Sequence, residues 1–329
     1  MAIRCQVCLT QSLSPYENLA LEEYLLMRTP EDVCMLYLWQ NQRTVVIGRN
    51  QNAWKECNVA MLEQDGGHLA RRLSGGGAVY HDLGNLNFTF LTRRAHYDVA
   101  RQLDVILCAV RMLGLQAEKT GRNDLTIDGR KFSGNAFYQA GDHAYHHGTL
   151  LVDVEMDAMA HYLNVSATKL AAKGISSVRA RVANLHALNA EVTIPRLREA
   201  MVDAFGRVYG QSVTLLSCPP VDTALQTLRE RYASWDFRMG HSLPFTWKDS
   251  ARFAWGECTL ALEIVKGRIV HAAAYSDAMD AQAIANIPAW LTDCLFAPEQ
   301  LATALRPLRE HDGNLYADVY ALLRRGCGG

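Results

Sequence analysis

Four short segments carry residue types suited to holding an anionic, phosphorylated substrate. In the first, Arg71-Arg72-Leu73-Ser74-Gly75-Gly76-Gly77-Ala78-Val79-Tyr80-His81-Asp82, three consecutive glycines let backbone N–H groups approach a phosphate with no Cβ in the way. Two arginines and a serine add charge and further donors. A bare triple glycine reads as a loop that needs positive φ; the charge before it and the strand-like Ala78-Val79-Tyr80 after it turn the reading toward an anion cradle. No Gly-Lys-Ser/Thr follows a four-residue spacer and no helix opens after the glycines, so neither a Walker A loop nor a dinucleotide fingerprint is present.

The second segment runs from Gly121-Arg122-Asn123-Asp124 to Lys131-Phe132-Ser133-Gly134. Asp124 opens a strand-like run, where a carboxylate can face a pocket and hold Mg²⁺. Lys131 lies across a hairpin whose Asp128-Gly129 turn is a strong signal, and it would meet the same phosphate as a compact point charge. Alone, the aspartate would serve as a turn cap and the lysine as a solvated strand residue. The third segment, Tyr145-His146-His147-Gly148-Thr149-Leu150-Leu151, places adjacent histidines on opposite faces of a strand, so they cannot chelate one metal as a local pair. The fourth, Leu170 to Arg181, mixes small, basic and hydroxyl residues, with Lys173, Gly174 and Arg179 as candidates for a loop that closes over an anion. A solvated loop explains that composition equally well.

The elements that must position these residues follow from periodicity. Ser14-Pro15-Tyr16-Glu17 reads as a capping box that starts a helix near 15–28, and a second helix near 97–113 carries Val99, Leu103, Ile106, Leu107 and Val110 on one face before Gly114. Strand-like runs at 33–39, 44–47, 78–80, 86–90, 125–127, 131–133, 136–138 and 144–151 suggest antiparallel hairpins, one of them joining 78–80 to 86–90. Helical patterns dominate from Met156 to about Tyr232. Trp235 to Trp247 reads as a connector into a hairpin over 259–275 turning at Lys266-Gly267, followed by helices near 277–286, 298–309 and 314–325. Strand runs followed by helix runs point to an α+β fold, with domains expected at 1–247 and 248–329.

Composition bounds the function. Lys plus Arg (33) balances Asp plus Glu (34) in 329 residues, which gives no broad field for nucleic acid or an anionic membrane. No apolar run approaches a membrane span and no signal-like segment opens the chain, so a soluble cytoplasmic protein is expected, with monomer as the default state. The nine cysteines form no regular framework and are expected to be reduced and mostly buried. Cys5 and Cys8 make a lone CxxC in a strand-like stretch, where odd spacing sends their side chains to opposite faces and argues against a zinc site.

Taken together, residues 71–82, 121–125, Lys131, His-His-Gly-Thr-Leu-Leu (146–151) and Ala-Ala-Lys-Gly-Ile (171–175) resemble bacterial lipoate-protein ligase. Val45 to Arg49, Gln51 to Asn58 and Arg252-Phe253-Ala254-Trp255-Gly256 extend the likeness along nearly the whole chain. The resemblance implies a large two-layer α+β catalytic domain of the biotin and lipoate ligase type, with antiparallel or mixed sheets, plus a small α+β C-terminal domain that reorients once an adenylate forms. It implies activation of lipoate by ATP with Mg²⁺, release of pyrophosphate, and transfer of the lipoyl group to a lysine. The acceptors would be lipoyl domains of 2-oxo acid dehydrogenase E2 subunits and the glycine-cleavage H protein. Arg72, Gly77, Ala78, Val79 and Tyr80 would hold the nucleotide, Asp124 the metal, and Lys131 both the lipoate carboxylate and the α-phosphate. Arg72, Ser74, Gly75 and Gly76 would lie on the lipoate side, with Trp39 and His81 near the lipoyl group.

Competing readings remain within and outside the fold. A transferase that takes only preformed lipoyl-adenylate would show the same residues, and octanoate could replace lipoate. A cysteine-dependent octanoyl transferase needs an activated thiol, yet the chain has none between Cys108 and Cys218, and only Cys57 lies upstream near the first segment. A biotin ligase would carry Gly-Arg-Gly-Arg-x-Gly-Arg where Ser74-Gly75-Gly76-Gly77 stands. A non-catalytic nucleotide-binding protein would lose nothing on replacement of Asp124 or Lys131.

Overall fold

A computed structural model describes residues 3–120, 124–164, 182–239, 246–265 and 267–326, the side chains of residues 54 and 55 excepted. The described residues form two compact units. The first comprises residues 1–46, 54–71 and 79–238; the second comprises 47–53, 72–78 and 239–329.

The first unit is organised by a sheet of eight strands: β1 (Arg4–Leu9), β2 (Val33–Trp39), β6 (Asn85–Arg93), β7 (Glu118–Thr120), β8 (Asp124–Ile127), β9 (Arg130–Ala140), β10 (His143–Leu151) and β11 (Val213–Leu216), in the order β11-β1-β2-β6-β10-β9-β8-β7. β1 runs parallel to both β2 and β11, while the pairings from β2 to β7 are antiparallel. The fold is therefore α+β with a mixed sheet. A second sheet holds β3 (Thr44–Ile47) between β4 (His68–Arg71) and β5 (Val79–His81).

Alternation along the strands divides the large sheet into two unlike faces. Cys5, Val7, Cys34, Leu36, Leu38, Leu86, Phe88 and Phe90 enter one hydrophobic core with residues of α2 (Val99–Met112) and α4 (Ile194–Tyr209). The intervening positions, Tyr37, Trp39, Asn87, Thr89, Tyr145 and His147, are buried and polar or aromatic. Helix α1 (Pro15–Arg28) lies against that second face, where Tyr37 donates to Asn18 and Thr89 to Glu22. Helix α5 (Thr223–Ala233) is tied to α1 by Tyr232 donating to Glu23 at 2.8 Å. Between α2 and α4 falls the short α3 (Met156–Tyr162).

Several sequence expectations change in detail. Ser14 is the N-cap of α1 but makes no side-chain cap bond. Instead the Ser12 hydroxyl donates to Glu17 at 2.6 Å and accepts the Ser14 N–H, which satisfies the acid that a capping box would have used. β5 and β6 do not form a hairpin, because β5 pairs with β3 and β6 with β2 and β10. Between them Asp82 accepts from the N–H groups of Gly84 and Glu155, fixing a corner that passes the chain from one sheet to the other. The runs 131–133 and 136–138 are one continuous strand, β9. β11 is a strand inside the stretch read as helical; its half-exposed edge position leaves no alternation to read.

The second unit contains the antiparallel sheet β12 (Trp247–Phe253), β13 (Gly256–Val265) and β14 (Arg268–Ser276), with helices α6 (Ala281–Leu291), α7 (Pro298–Ala304), α8 (Arg306–His311) and α9 (Gly313–Arg324). Its own core gathers Leu260, Leu262, Ile284, Ile287, Leu305, Val319 and Leu322. The end of the expected connector is thus the first residue of β12, and the helix expected over 298–309 breaks between Ala304 and Arg306.

Candidate active site

The β8–β9 hairpin brings Asp124 and Lys131 together. Asp128 and Gly129 both take left-handed φ, 51° and 72°, as a tight two-residue turn joining right-twisted strands requires. Leu125, Ile127 and Phe132 enter the hydrophobic core, so alternation turns Asp124 and Thr126 to the other side, with Lys131 opposite Thr126. Two β8 residues, Leu125 and Thr126, face three on β9, leaving Phe132 as the extra residue of a bulge. The result is an ion pair, Lys131 Nζ to Asp124 Oδ1 at 2.7 Å, with the two side chains 38% and 39% exposed. Gly134 leaves room beside the lysine, since a Cβ there would lie 3.1 Å from both Lys131 Cε and Nζ and would ask the flexible side chain to shift by a few tenths of an ångström. On the far side of the strand, Val182 bridges to Lys131 and Ala183 donates to its carbonyl.

A buried polar chain crosses the same sheet face under α1. The Trp39 indole N–H donates to Thr89 Oγ1 at 3.1 Å, Thr89 donates to Glu22 Oε1 at 2.6 Å, and His147 Nδ1 lies 2.9 Å from that same carboxylate oxygen. Glu22 is 1% exposed, and a carboxylate so deep persists only with such partners. His81 packs edge-on against Trp39 with ring centroids 6.0 Å apart, and its Nδ1 meets Asn41 at 3.2 Å. Glu22 was not among the sequence candidates. A usable signal exists, because it lies three residues after Leu19 and four before Leu26, on the buried stripe of an amphipathic helix where a carboxylate is out of place.

The adjacent histidines do face opposite ways. His146 points into the hydrophobic side, among Phe88, Phe90 and Phe137, and meets Gln102 at 3.1 Å and Asn135 at 2.8 Å. Burial lowers its pKa from 6.5 to about 3, so it is neutral; a neutral ring has one N–H, and one of the two amides must turn its NH₂ toward it. His147 faces Glu22 instead.

The glycine loop belongs to the second unit. Arg72 there holds the loop's shape: its Nη2 donates to the carbonyls of Gly75 and Gly77, each at 2.7 Å, and its Nε to Ser74 Oγ at 3.1 Å. The three glycines have different physical roles. A Cβ at Gly75 would come within 2.2 Å of the Ala278 carbonyl oxygen, Gly76 takes φ 88° and donates its N–H to that oxygen, and a Cβ at Gly77 would meet no atom within 4 Å. Gly48 is also fixed by packing, with a Cβ site 2.3 Å from the Gly76 oxygen. Ala78 ends this segment, and Val79 and Tyr80 continue into β5 of the first unit, where Tyr80 pairs with Val45. Arg71, the neighbouring cation, donates to the carbonyls of Phe237 and Arg238 in the first unit.

Lys173, Gly174 and Arg179 lie outside the described residues, as do residues 121–123. Among the described residues no group of three or more His, Cys, Asp or Glu side chains is arranged to hold a metal ion. Cys57, the upstream thiol, is buried, and burial pushes its pKa up to about 12, far from what a nucleophilic thiolate needs. No helix of the described residues is long and apolar enough to cross a membrane.

The sequence and fold match known proteins. The chain belongs to the lipoyl protein ligase A/B catalytic domain family, which it matches over residues 14–206, and residues 242–316 match the bacterial lipoate protein ligase C-terminus. Among solved structures, LipL1 of P. falciparum in complex with lipoate is 28% identical with a TM-score of 0.86, over 96% of this chain and 98% of that one. A bipartite lipoate protein ligase of Thermoplasma acidophilum, described with its E2 lipoyl domain, is 26% identical (TM-score 0.64; 75% of this chain, 100% of that one). A lipoate-protein ligase A bound with ATP is 25% identical (TM-score 0.61; 73% and 99%).

Proposed function

We propose that this protein is an ATP-dependent lipoate-protein ligase that joins lipoate to AMP, releases pyrophosphate, and passes the lipoyl group to a lysine of an apo lipoyl domain. The observation that carries the reading is the Lys131–Asp124 pair, a half-exposed cation and carboxylate held 2.7 Å apart on one hairpin face in a chain of this family. Joining a carboxylate to an α-phosphate brings two anions together, and charge grows on the phosphoryl oxygens in the transition state. The Lys131 ammonium, a compact charge on a flexible stem, would attract both and offset their repulsion.

Asp124 suits Mg²⁺, which typically takes one or two protein carboxylates and completes its shell with substrate phosphates and water. Asp124 offers one solvent-accessible carboxylate, which fits that donor set. When bound, the ion would neutralise phosphate charge; Asp124 would hold it, leaving Lys131 to face the reacting carboxylate. Arg72 with Gly77, Ala78, Val79 and Tyr80 would bind the nucleotide, a role supported by the open space beside Gly77. Ser74, Gly75 and Gly76 with Trp39 and His81 would serve the lipoate side. Residues 1–247 would carry catalysis and 248–329 an accessory role, with Lys173, Gly174 and Arg179 covering the adenylate. The working context would be the cytoplasm, as a monomer, with E2 lipoyl domains and the glycine-cleavage H protein as acceptors.

The test is incubation with ATP, Mg²⁺, lipoate and an apo lipoyl domain, followed by intact mass measurement of the acceptor and assay of pyrophosphate. One lipoyl group per acceptor lysine, dependent on ATP, is expected. Modification from synthetic lipoyl-adenylate but never from ATP plus lipoate would make the protein a transferase and overturn the ligase reading.

A further inference from the structure

The CxxC of the N-terminal strand contributes one residue to a thiol pair that sequence spacing could not show. β1 turns Cys5 into the hydrophobic core and leaves Cys8, three residues on, outside that cluster. β11 runs parallel beside β1 with Leu216 opposite Cys8, so the chain leaving β11 carries Cys218 past the end of β1. There the Cys8 and Cys218 sulfurs stand 3.5 Å apart. Cys218 also donates to the Leu9 carbonyl at 3.0 Å, which holds its thiol over the strand. Cys8 is 1% exposed whereas Cys218 is an exposed free cysteine. Another pair of neighbouring cysteines, Cys5 and Cys34, are register partners on β1 and β2, and both are buried. Burial, reinforced by Cys218, holds the Cys8 thiol protonated well above the usual range, so Cys218 is the thiol that reagents meet first, and Cys8 can act only as the second thiol, passing its proton to the adjacent leaving oxygen as its sulfur attacks.

We propose that Cys8 and Cys218 form a reversible disulfide, a redox-modification site closed by a hydroperoxide-class oxidant. Peroxide delivers one oxygen to the Cys218 sulfur as its O–O bond breaks, giving the sulfenic acid and one water. The Cys8 sulfur then displaces that oxygen, which leaves as a second water with the Cys8 proton; two thiols and one peroxide become one disulfide and two waters. Closure to the ~2.0 Å of a sulfur–sulfur bond requires a displacement of about 1.5 Å, which falls on the exposed stretch between β11 and α5. The bridge ties that stretch, and with it the edge strand, to β1.

The experiment treats the intact protein with hydrogen peroxide, blocks remaining thiols with an alkylating agent under denaturing conditions, and maps the digest by mass spectrometry. The expected product is the Cys8 peptide linked to the Cys218 peptide as the main disulfide, released by dithiothreitol. Cys218→Ser, at an exposed position, should leave Cys8 alkylated and unbridged. Cys218 recovered as sulfinic acid with Cys8 still alkylatable, or bridged to another cysteine or a second molecule, overturns the proposal.

Discussion

The two faces of the eight-stranded sheet are made from alternate residues of the same strands, yet they serve opposite ends. On one, the apolar side chains of Leu36, Leu38, Leu86, Phe88 and Phe90 pack against α2 and α4, with His146, Gln102 and Asn135 as a small polar inclusion. On the other, Trp39, Thr89, His147 and Glu22 are just as buried but linked by hydrogen bonds, and the Asp124–Lys131 pair projects away from the core at the hairpin end. A buried polar chain contributes less net stability than apolar burial of similar size, because each group gives up water before it gains a partner. Stability therefore resides mainly in one face, and the other can be given over to chemistry.

On the apolar face, Phe88→Ala should cost about 3–5 kcal/mol in urea unfolding by leaving a cavity in a fully buried cluster. Next, Lys131→Ala should lower lipoate-dependent ATP–pyrophosphate exchange at least ~10²-fold, and Lys131→Arg should not restore it, since a planar fork does not replace a point charge. Its urea midpoint should stay near wild type, because both partners of its ion pair are well exposed. Near-normal exchange in Lys131→Ala would remove the chemical meaning of the polar face. Within the glycine loop, Gly75→Ala should destabilise the second unit by about 1–3 kcal/mol through its clash with the Ala278 carbonyl, while Gly77→Ala should stay within ~0.5 kcal/mol. Equal effects would show that the loop's packing does not distinguish them.

The adjacent histidines tell the faces apart only on acidification. His146 keeps a depressed pKa in the folded protein, so below its ordinary 6.5 the unfolded chain takes up a proton that the folded one refuses. Stability should therefore fall as pH drops from about 6.5 toward 3, by up to ~1.4 kcal/mol per pH unit from this site. Unfolding curves of His146→Gln should lose that part of the acid slope. An unchanged slope would mean that the apolar face tolerates a charged imidazole.

The chain by itself determined a good deal. The tight Asp128-Gly129 turn, the strand alternation that separates His146 from His147, and the helix over 15–28 are local or periodic properties, and each stands in the structure. Local signals could not decide which strands pair, because β-pairing joins residues far apart in sequence. That is why the expected 78–90 hairpin is divided between two sheets and why β11 lies hidden in a stretch of helical pattern. Nor could they say that Gly75 is fixed by a carbonyl two hundred residues away, that Glu22 anchors Trp39 through Thr89, or that Cys8 meets Cys218. Residue type and spacing announce what chemistry is available; only the packing of distant segments, where a Cβ fits or fails to fit and a buried charge finds its partner, decides which groups are brought to bear.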